Sequence, residues 1–184
     1  MYTASLTLKK LVFPDMDITE ELCKACEDGD NAKVEEILAK WNIDVNSKDQ
    51  QNFTPLHHAM AYNHPSIVRK LLSLSRHRLD VGDSGGWTGL HWACHWNNVE
   101  CIKMFVSDRR CSHQVLNIKN NGGESALMFA VSWGNLESVK VLAELAGTDF
   151  GTKNGSDLAL MDLAEKFNHP NIIQFLKTRI SKSK

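Results

Sequence analysis

This chain of 184 residues has no surplus of charge of either sign. Its 21 Lys and Arg stand against 22 Asp and Glu, a net charge of −1 at pH 7. Nucleic acid and anionic membrane surfaces both call for a basic excess, so neither is expected as a partner. Long hydrophobic runs are missing as well. No stretch reaches the length of a membrane span. The first 20 residues hold Lys9 and Lys10 and no uninterrupted apolar segment, so no signal peptide is read. Cysteine is sparse and odd in number. Five thiols without a secreted-scaffold spacing point to free cysteines in a reducing compartment, cytoplasmic or nuclear. Cys23-Lys24-Ala25-Cys26 is an isolated pair. Zinc needs two further ligands at a suitable spacing and a redox pair needs other surroundings, so no metal is expected.

Catalytic signatures are absent too. There is no Ser-His-Asp order, no paired-carboxylate motif and no phosphate-cradling glycine loop. Gly82-Asp83-Ser84-Gly85-Gly86 is rich in glycine but lacks the lysine such a loop requires. No catalytic residue and no cofactor are expected. The basic clusters Arg76–Arg78, Arg109–Arg110 and Lys177–Lys184 read as solvated charge in loops and at the end of the last helix.

What is present is a period. Ala25, Ala59, Ala93, Ala130 and Ala164 recur at spacings of 34, 34, 37 and 34 residues. A fixed period in this range signals a solenoid, whose product is a long exposed surface rather than one central core. Ten residues before each alanine stands an Asp or Asn (Asp15, Asp49, Asp83, Asn120, Asn154), the mark of a turn held by its own side chain. Gly and Asn residues follow at a tight tip. Thr54, Thr88 and Ser125 then cap a short helix, with Pro55 at its first position. Four residues after each alanine comes Gly29, Asn63, Asn97, Gly134 or Asn168, where a left-handed C-terminal cap is needed. A second amphipathic helix completes each unit, and small residues at the alanine positions let neighbouring helices approach closely.

The pattern resembles the ankyrin repeat. Thr54-Pro55-Leu56-His57-His58-Ala59 is similar to that family's Thr-Pro-Leu-His-x-Ala signature. Thr88-Gly89-Leu90-His91-Trp92-Ala93 departs by one glycine, and Ser125-Ala126-Leu127-Met128-Phe129-Ala130 is looser. The expected fold is an all-α repeat solenoid of helix-turn-helix units joined by β-hairpin-like tips. Five repeats are read, about 15–48, 49–82, 83–119, 120–153 and 154–184, after an N-terminal extension over 1–14. The first and last depart from the signature and read as end caps of a complete array, with Asp17 and Glu20 as a capping box. The third carries a short loop insertion near Asp108–His113. In the resembling family the signature histidine, here His57 and His91, bonds to backbone near the turns. The i, i+4 spacing of His91 and His95 is therefore not read as a metal site.

One signal goes beyond the repeat. Tyr62, Trp96, Trp133 and Phe167 place a large ring at the same position of four consecutive units, three residues after the alanine. Phe53 and Trp87 precede the capping threonines. By resemblance, these two positions, with that of His95, face the concave groove that contacts partners. The expectation is a monomeric, non-catalytic adaptor or regulator that binds a protein through Phe53, Tyr62, Trp87, His95, Trp96, Trp133 and Phe167. The alternatives are a small ligand held between Trp96 and Trp133, or a structural spacer. Asp44-Val45-Asn46 is similar to the substrate pattern of the asparaginyl hydroxylase that acts on such repeats, which makes Asn46 a candidate modification site.

Overall fold

A computed structural model of the protein describes residues 18–145 and 147–181. The N-terminal extension over 1–14, Asp15 and Asp17 of the expected capping box lie outside the described residues.

Five consecutive helix pairs make up the described chain. The inner helices are α1 (Ile18–Asp28), α3 (Pro55–Ala61), α5 (Gly89–His95), α8 (Ala126–Ser132) and α10 (Leu160–Lys166). The outer helices are α2 (Asn31–Lys40), α4 (Pro65–Ser73), α6 (Val99–Val106), α9 (Leu136–Ala143) and α11 (Pro170–Ser181). Each inner helix packs on the next inner helix and on its own outer partner, so the core is a continuous band between two layers. The periodic alanines Ala59, Ala93, Ala130 and Ala164 are fully buried in it, together with Ile67, Leu71, Leu90, Ile102, Phe105 and Leu163. Burying each large side chain contributes about 1.5–3 kcal/mol.

The helices start and stop where the sequence places its signals. At α3 the Thr54 hydroxyl accepts from His57 N at 3.4 Å, and His57 Nδ1 accepts from Thr54 N at 3.0 Å. Ser125 caps α8, and Ser112 caps a one-turn helix α7 (His113–Leu116). The insertion in the third unit is thus a short helix rather than a plain loop. The terminators Gly29, Asn63, Asn97, Gly134 and Asn168 all hold positive φ, between 56° and 76°. At the tips, Asp49, Asp83, Asn120 and Asn154 each accept two backbone N–H bonds through one side-chain oxygen. Two tips close with isolated antiparallel bridges, Gly82 with Thr88 and Lys119 with Ser125.

Successive units are tied by polar contacts that do not depend on apolar burial. The signature histidines donate from Nε2 to the next tip, His57 to Trp87 O at 2.8 Å and His91 to Glu124 O at 3.0 Å. From the second unit on, the residue after the terminator reaches back to the end of the preceding inner helix. His64 bonds Glu27 O, Asn98 bonds Met60 O and Ala61 O, Asn135 bonds Cys94 O and His95 O, and His169 bonds Ser132 O. These bonds satisfy helix-end carbonyls that would otherwise lack partners.

One sequence expectation is corrected here. Arg110 is not a solvated loop charge. Its guanidinium donates to the carbonyls of Leu72, Leu74 and His77 and forms an ion pair with Asp108 at 2.7 Å. A planar five-donor fork fits a fan of acceptors at the end of α4, and that geometry draws the side chain inward.

Candidate functional site

The four rings of the row leave the backbone at equivalent points. Tyr62, Trp96, Trp133 and Phe167 are each the C-cap of an inner helix, with φ from −91° to −96° and ψ from 2° to 7°. Each is followed by a residue of positive φ, which turns the chain away and leaves the ring projecting. Their exposures are 55, 59, 56 and 46 %, and they are the large apolar side chains that stand out in solvent among the described residues. The corresponding position of the first unit is Asp28, which pairs with Lys24 at 2.9 Å, so the aromatic row begins at the second unit.

Phe53 and Trp87 are less open to solvent than the four rings of the row. Both are half-buried. Phe53 packs edge-on against Trp92 with ring centroids 5.3 Å apart, and Trp87 meets Phe129 at 4.3 Å. Their position beside a tight tip brings them against the next inner helix, and packing there removes apolar surface from water. They form a partly covered floor rather than free anchors. His95 is also half-buried. It stands edge-on between Trp96 and Trp133, with centroids at 4.5 and 4.2 Å. Burial lowers its pKa, so the ring is neutral at pH 7. The imidazole stands in the space between the two tryptophans.

The open space lies one unit earlier. A cavity of about 550 Å³ is lined by Gln51, Phe53, His57, His58, Ala61, Tyr62, Trp92 and Trp96. Among the described residues, no Asp, Glu, Lys or Arg lines it. Trp92 Nε1 is engaged by Asp83 at 3.0 Å and His58 Nε2 by Asp49 at 2.6 Å, so the polar edges of these rings are satisfied. Tyr62 stacks beside His58, and burial together with the Glu27 carboxylate raises its hydroxyl pKa. What the arrangement offers is rigid, desolvated aromatic surface. Away from the cavity, burial pushes the thiols up, Cys26 and Cys101 to about 12 and Cys111 to about 11, with Cys23 and Cys94 displaced the same way.

Asn46 lies in the loop after α2, and its amide is fully engaged. Nδ2 donates to Asp44 Oδ1 and Arg76 O, and Oδ1 accepts from Arg78 N at 2.8 Å. The inter-unit bonds from His64, Asn98, Asn135 and His169 were not singled out by sequence reasoning. Their signal is a His or Asn five residues after each alanine of the second to fifth units.

Among the described residues, no helix is long and apolar enough to cross a membrane. Comparison with known proteins agrees with the repeat pattern. The family described as ankyrin repeats matches in three overlapping stretches, residues 5–83, 22–117 and 71–154. The probable 26S proteasome regulatory subunit p28 of Saccharomyces cerevisiae is 34% identical over 84 residues, which is 45% of this chain and 37% of that protein. Human protein phosphatase 1 regulatory subunit 27 is 34% identical over 55 residues, 30% of this chain and 36% of the relative. Alpha-latrotoxin-Lg1a of Latrodectus geometricus is 26% identical over 152 residues, 82% of this chain but 8% of the toxin. The matched region therefore spans well under half the length of each of these relatives. With the family matched across most of the chain, and with signature histidines, left-handed terminators and paired helices all in register, the protein belongs to the ankyrin repeat family.

Proposed function

We propose that this chain is a non-catalytic protein-binding module, an adaptor or regulator whose partner lies along the side that carries the aromatic row. The observation that carries this reading is the equivalence of Tyr62, Trp96, Trp133 and Phe167, four rings at four like backbone positions, all left in water. Large apolar side chains exposed in a row are a solubility liability without a partner. Tryptophan and tyrosine are also the residues that dominate interface energetics. Trp96, with His95 and Trp133 packed beside it, forms the centre of the proposed contact, and Phe53 and Trp87 support it from below. The row is mounted on helix ends held by inter-unit hydrogen bonds, which limits the ordering cost of binding.

The family assignment supports the same reading, and so do relatives named as regulatory subunits of larger assemblies. The protonated thiols and the uncharged lining of the cavity favour recognition over chemistry. The module is read as a monomer of the cytoplasm or nucleus.

The test has two stages. Affinity purification from the native cell with mass spectrometry identifies partners. Binding of a purified partner is then compared for the unaltered protein and for Trp96→Ala. A loss of about 30-fold, corresponding to roughly 2 kcal/mol at a hot spot, is expected. An unchanged Kd with an unchanged circular dichroism spectrum would remove the row from the binding site.

A further inference from the structure

We propose that Cys23, Asp49 and His58 form a binding site for a divalent transition metal, Zn²⁺ above all, at the junction of the first two units. The thiol of Cys23, a carboxylate oxygen of Asp49 and a ring nitrogen of His58 all lie within 4.8 Å of one another. They come from three separate places in the chain: α1, the tip before α3, and α3 itself. Cys23 is 1 % exposed, and the side chains of Asp49 and His58 are 4 and 8 % exposed. Sulfur, imidazole nitrogen and carboxylate oxygen are the donor set of a borderline-soft ion, and three protein ligands leave a fourth position for water. His58 also lines the aromatic cavity, which gives that water a way in.

The next junction serves as an internal comparison. There Asp83 holds the same turn, accepting from Gly85 N and Trp87 N through one oxygen and from Trp92 Nε1 through the other. Asp49 does the same with Gln51 N and Phe53 N, but its second oxygen meets His58. Tryptophan cannot ligate a metal and histidine can. On the facing helix, the place of the signature histidines is taken by Cys23. His57 and His91 reach the following tip carbonyl at 2.8 and 3.0 Å, whereas the Cys23 thiol reaches Phe53 O at 3.8 Å, a weak contact. Of the two changes that set this junction apart, one brings in a metal ligand and the other exchanges a histidine for a softer one, and both side chains lie beside one carboxylate. Cys26, the other half of the Cys-x-x-Cys pair, is not part of the cluster.

Binding balances in charge. Zn²⁺ accepts lone pairs from the thiolate, the carboxylate and His58 Nε2. The thiol proton goes to solvent, the His58 proton that faces the Asp49 carboxylate from Nε2 is given up while Nδ1 takes one from solvent, and the buried site becomes neutral overall. The two backbone N–H bonds to the other Asp49 oxygen hold the carboxylate in place as an outer support. Tetrahedral coordination needs ligand atoms about 3.3–3.7 Å apart, so the 2.6 Å His58–Asp49 contact opens as the metal enters.

The experiment is a Co²⁺ titration of the full reduced chain, followed by displacement with Zn²⁺. The variants borrow residues the protein already uses at like positions: Asp49→Asn, since Asn120 holds the same turn, and His58→Trp, after Trp92, with Cys23→Ser as the third. The expected result is a single Co²⁺ per chain with a thiolate charge-transfer band and visible bands of tetrahedral intensity. Tm should rise by about 5 °C at a hundredfold excess of metal over Kd. Each variant should lose about tenfold or more in affinity, and Cys23→Ser should lose the charge-transfer band altogether. Arg69→Ala, on outer helix α4 and outside both the cluster and the aromatic row, should bind the metal as before. Absence of a charge-transfer band in the unaltered chain overturns the proposal. So does a band that survives in Cys23→Ser and Asp49→Asn but disappears in Cys111→Ser.

Discussion

The imidazole of His64 occupies the space that a side chain at Gly29 would need. A Cβ at Gly29 would stand 2.5 Å from His64 Cε1. The same holds between Gly134 and His169, at 2.7 Å. Where the reaching residue is instead an asparagine, as at Asn98 and Asn135, the facing terminators are Asn63 and Asn97. Terminator and staple thus come in two matched kinds, glycine under histidine and asparagine under asparagine.

From this pairing follows a mutational cycle. Gly29→Asn keeps a residue that tolerates positive φ but drives its Cβ into the ring, and should destabilise the protein by about 1–3 kcal/mol. The double variant Gly29→Asn/His64→Asn reproduces the pairing found one unit later and should recover about 1 kcal/mol or more of that loss. Urea unfolding of the four proteins measures it. Additive costs would contradict the pairing.

Acid should unfold the array in a defined window. His57 is neutral in the fold because its Nδ1 accepts from Thr54 N while Nε2 donates to Trp87 O, and protonation would set two donors against each other. Burial lowers its pKa to about 4. Burial, then the Arg110 guanidinium, lowers His77 to about 4 as well. Above pH 6.5 both are neutral whether folded or unfolded, and they add no slope. Below pH 6.5 the unfolded chain takes up protons that the fold refuses, so stability should fall continuously towards pH 4, by about 1.4 kcal/mol per pH unit for each histidine. His77→Leu should reduce the slope by about one histidine's share. A stability profile flat from pH 6.5 to 4.5 would contradict this.

Much of this architecture can be read from the primary structure, because a solenoid repeats its instructions. The alanine period, the capping threonines and the left-handed terminators are local signals, and each recurs often enough to be recognised. What escaped reading depends on distances between units. Arg110 looks like loop charge until the end of α4 is seen to lie within reach of its guanidinium. Phe53 and Trp87 share a tip position, but whether they face solvent or a neighbour depends on the rings of Trp92 and Phe129 in the adjoining helices. Within a single unit, the Asp49–His58 contact depends on how the tip folds over α3. The exposure of the ladder could be anticipated only as one of two outcomes, since C-cap rings can project or fold inward.

Arg110 should behave as a core residue. Arg110→Met leaves the carbonyls of Leu72, Leu74 and His77 without their donor and Asp108 without its partner, and should cost about 2–3 kcal/mol. Arg110→Lys should recover less than half, because a single ammonium cannot reach that fan of acceptors. Thermal melts of both variants decide the point, and full rescue by lysine would contradict it.

Ladder and core aromatics should separate cleanly in stability. Tyr62→Ala and Phe167→Ala remove exposed rings and should change stability by no more than about 0.5 kcal/mol. Phe129→Ala empties a buried site and should cost about 3–5 kcal/mol. Guanidinium unfolding followed by circular dichroism compares them. A ladder variant as costly as Phe129→Ala would mean that the row serves the fold.

The most direct measurement is calorimetric titration of a purified partner into the double variant Trp96→Ala/Trp133→Ala, beside Arg69→Ala on outer helix α4 as a control. If partners lie along the aromatic row, the double variant should lose at least about a hundredfold in affinity while Arg69→Ala binds as the unaltered protein does. Equal affinity for the folded double variant and the unaltered chain would contradict the account.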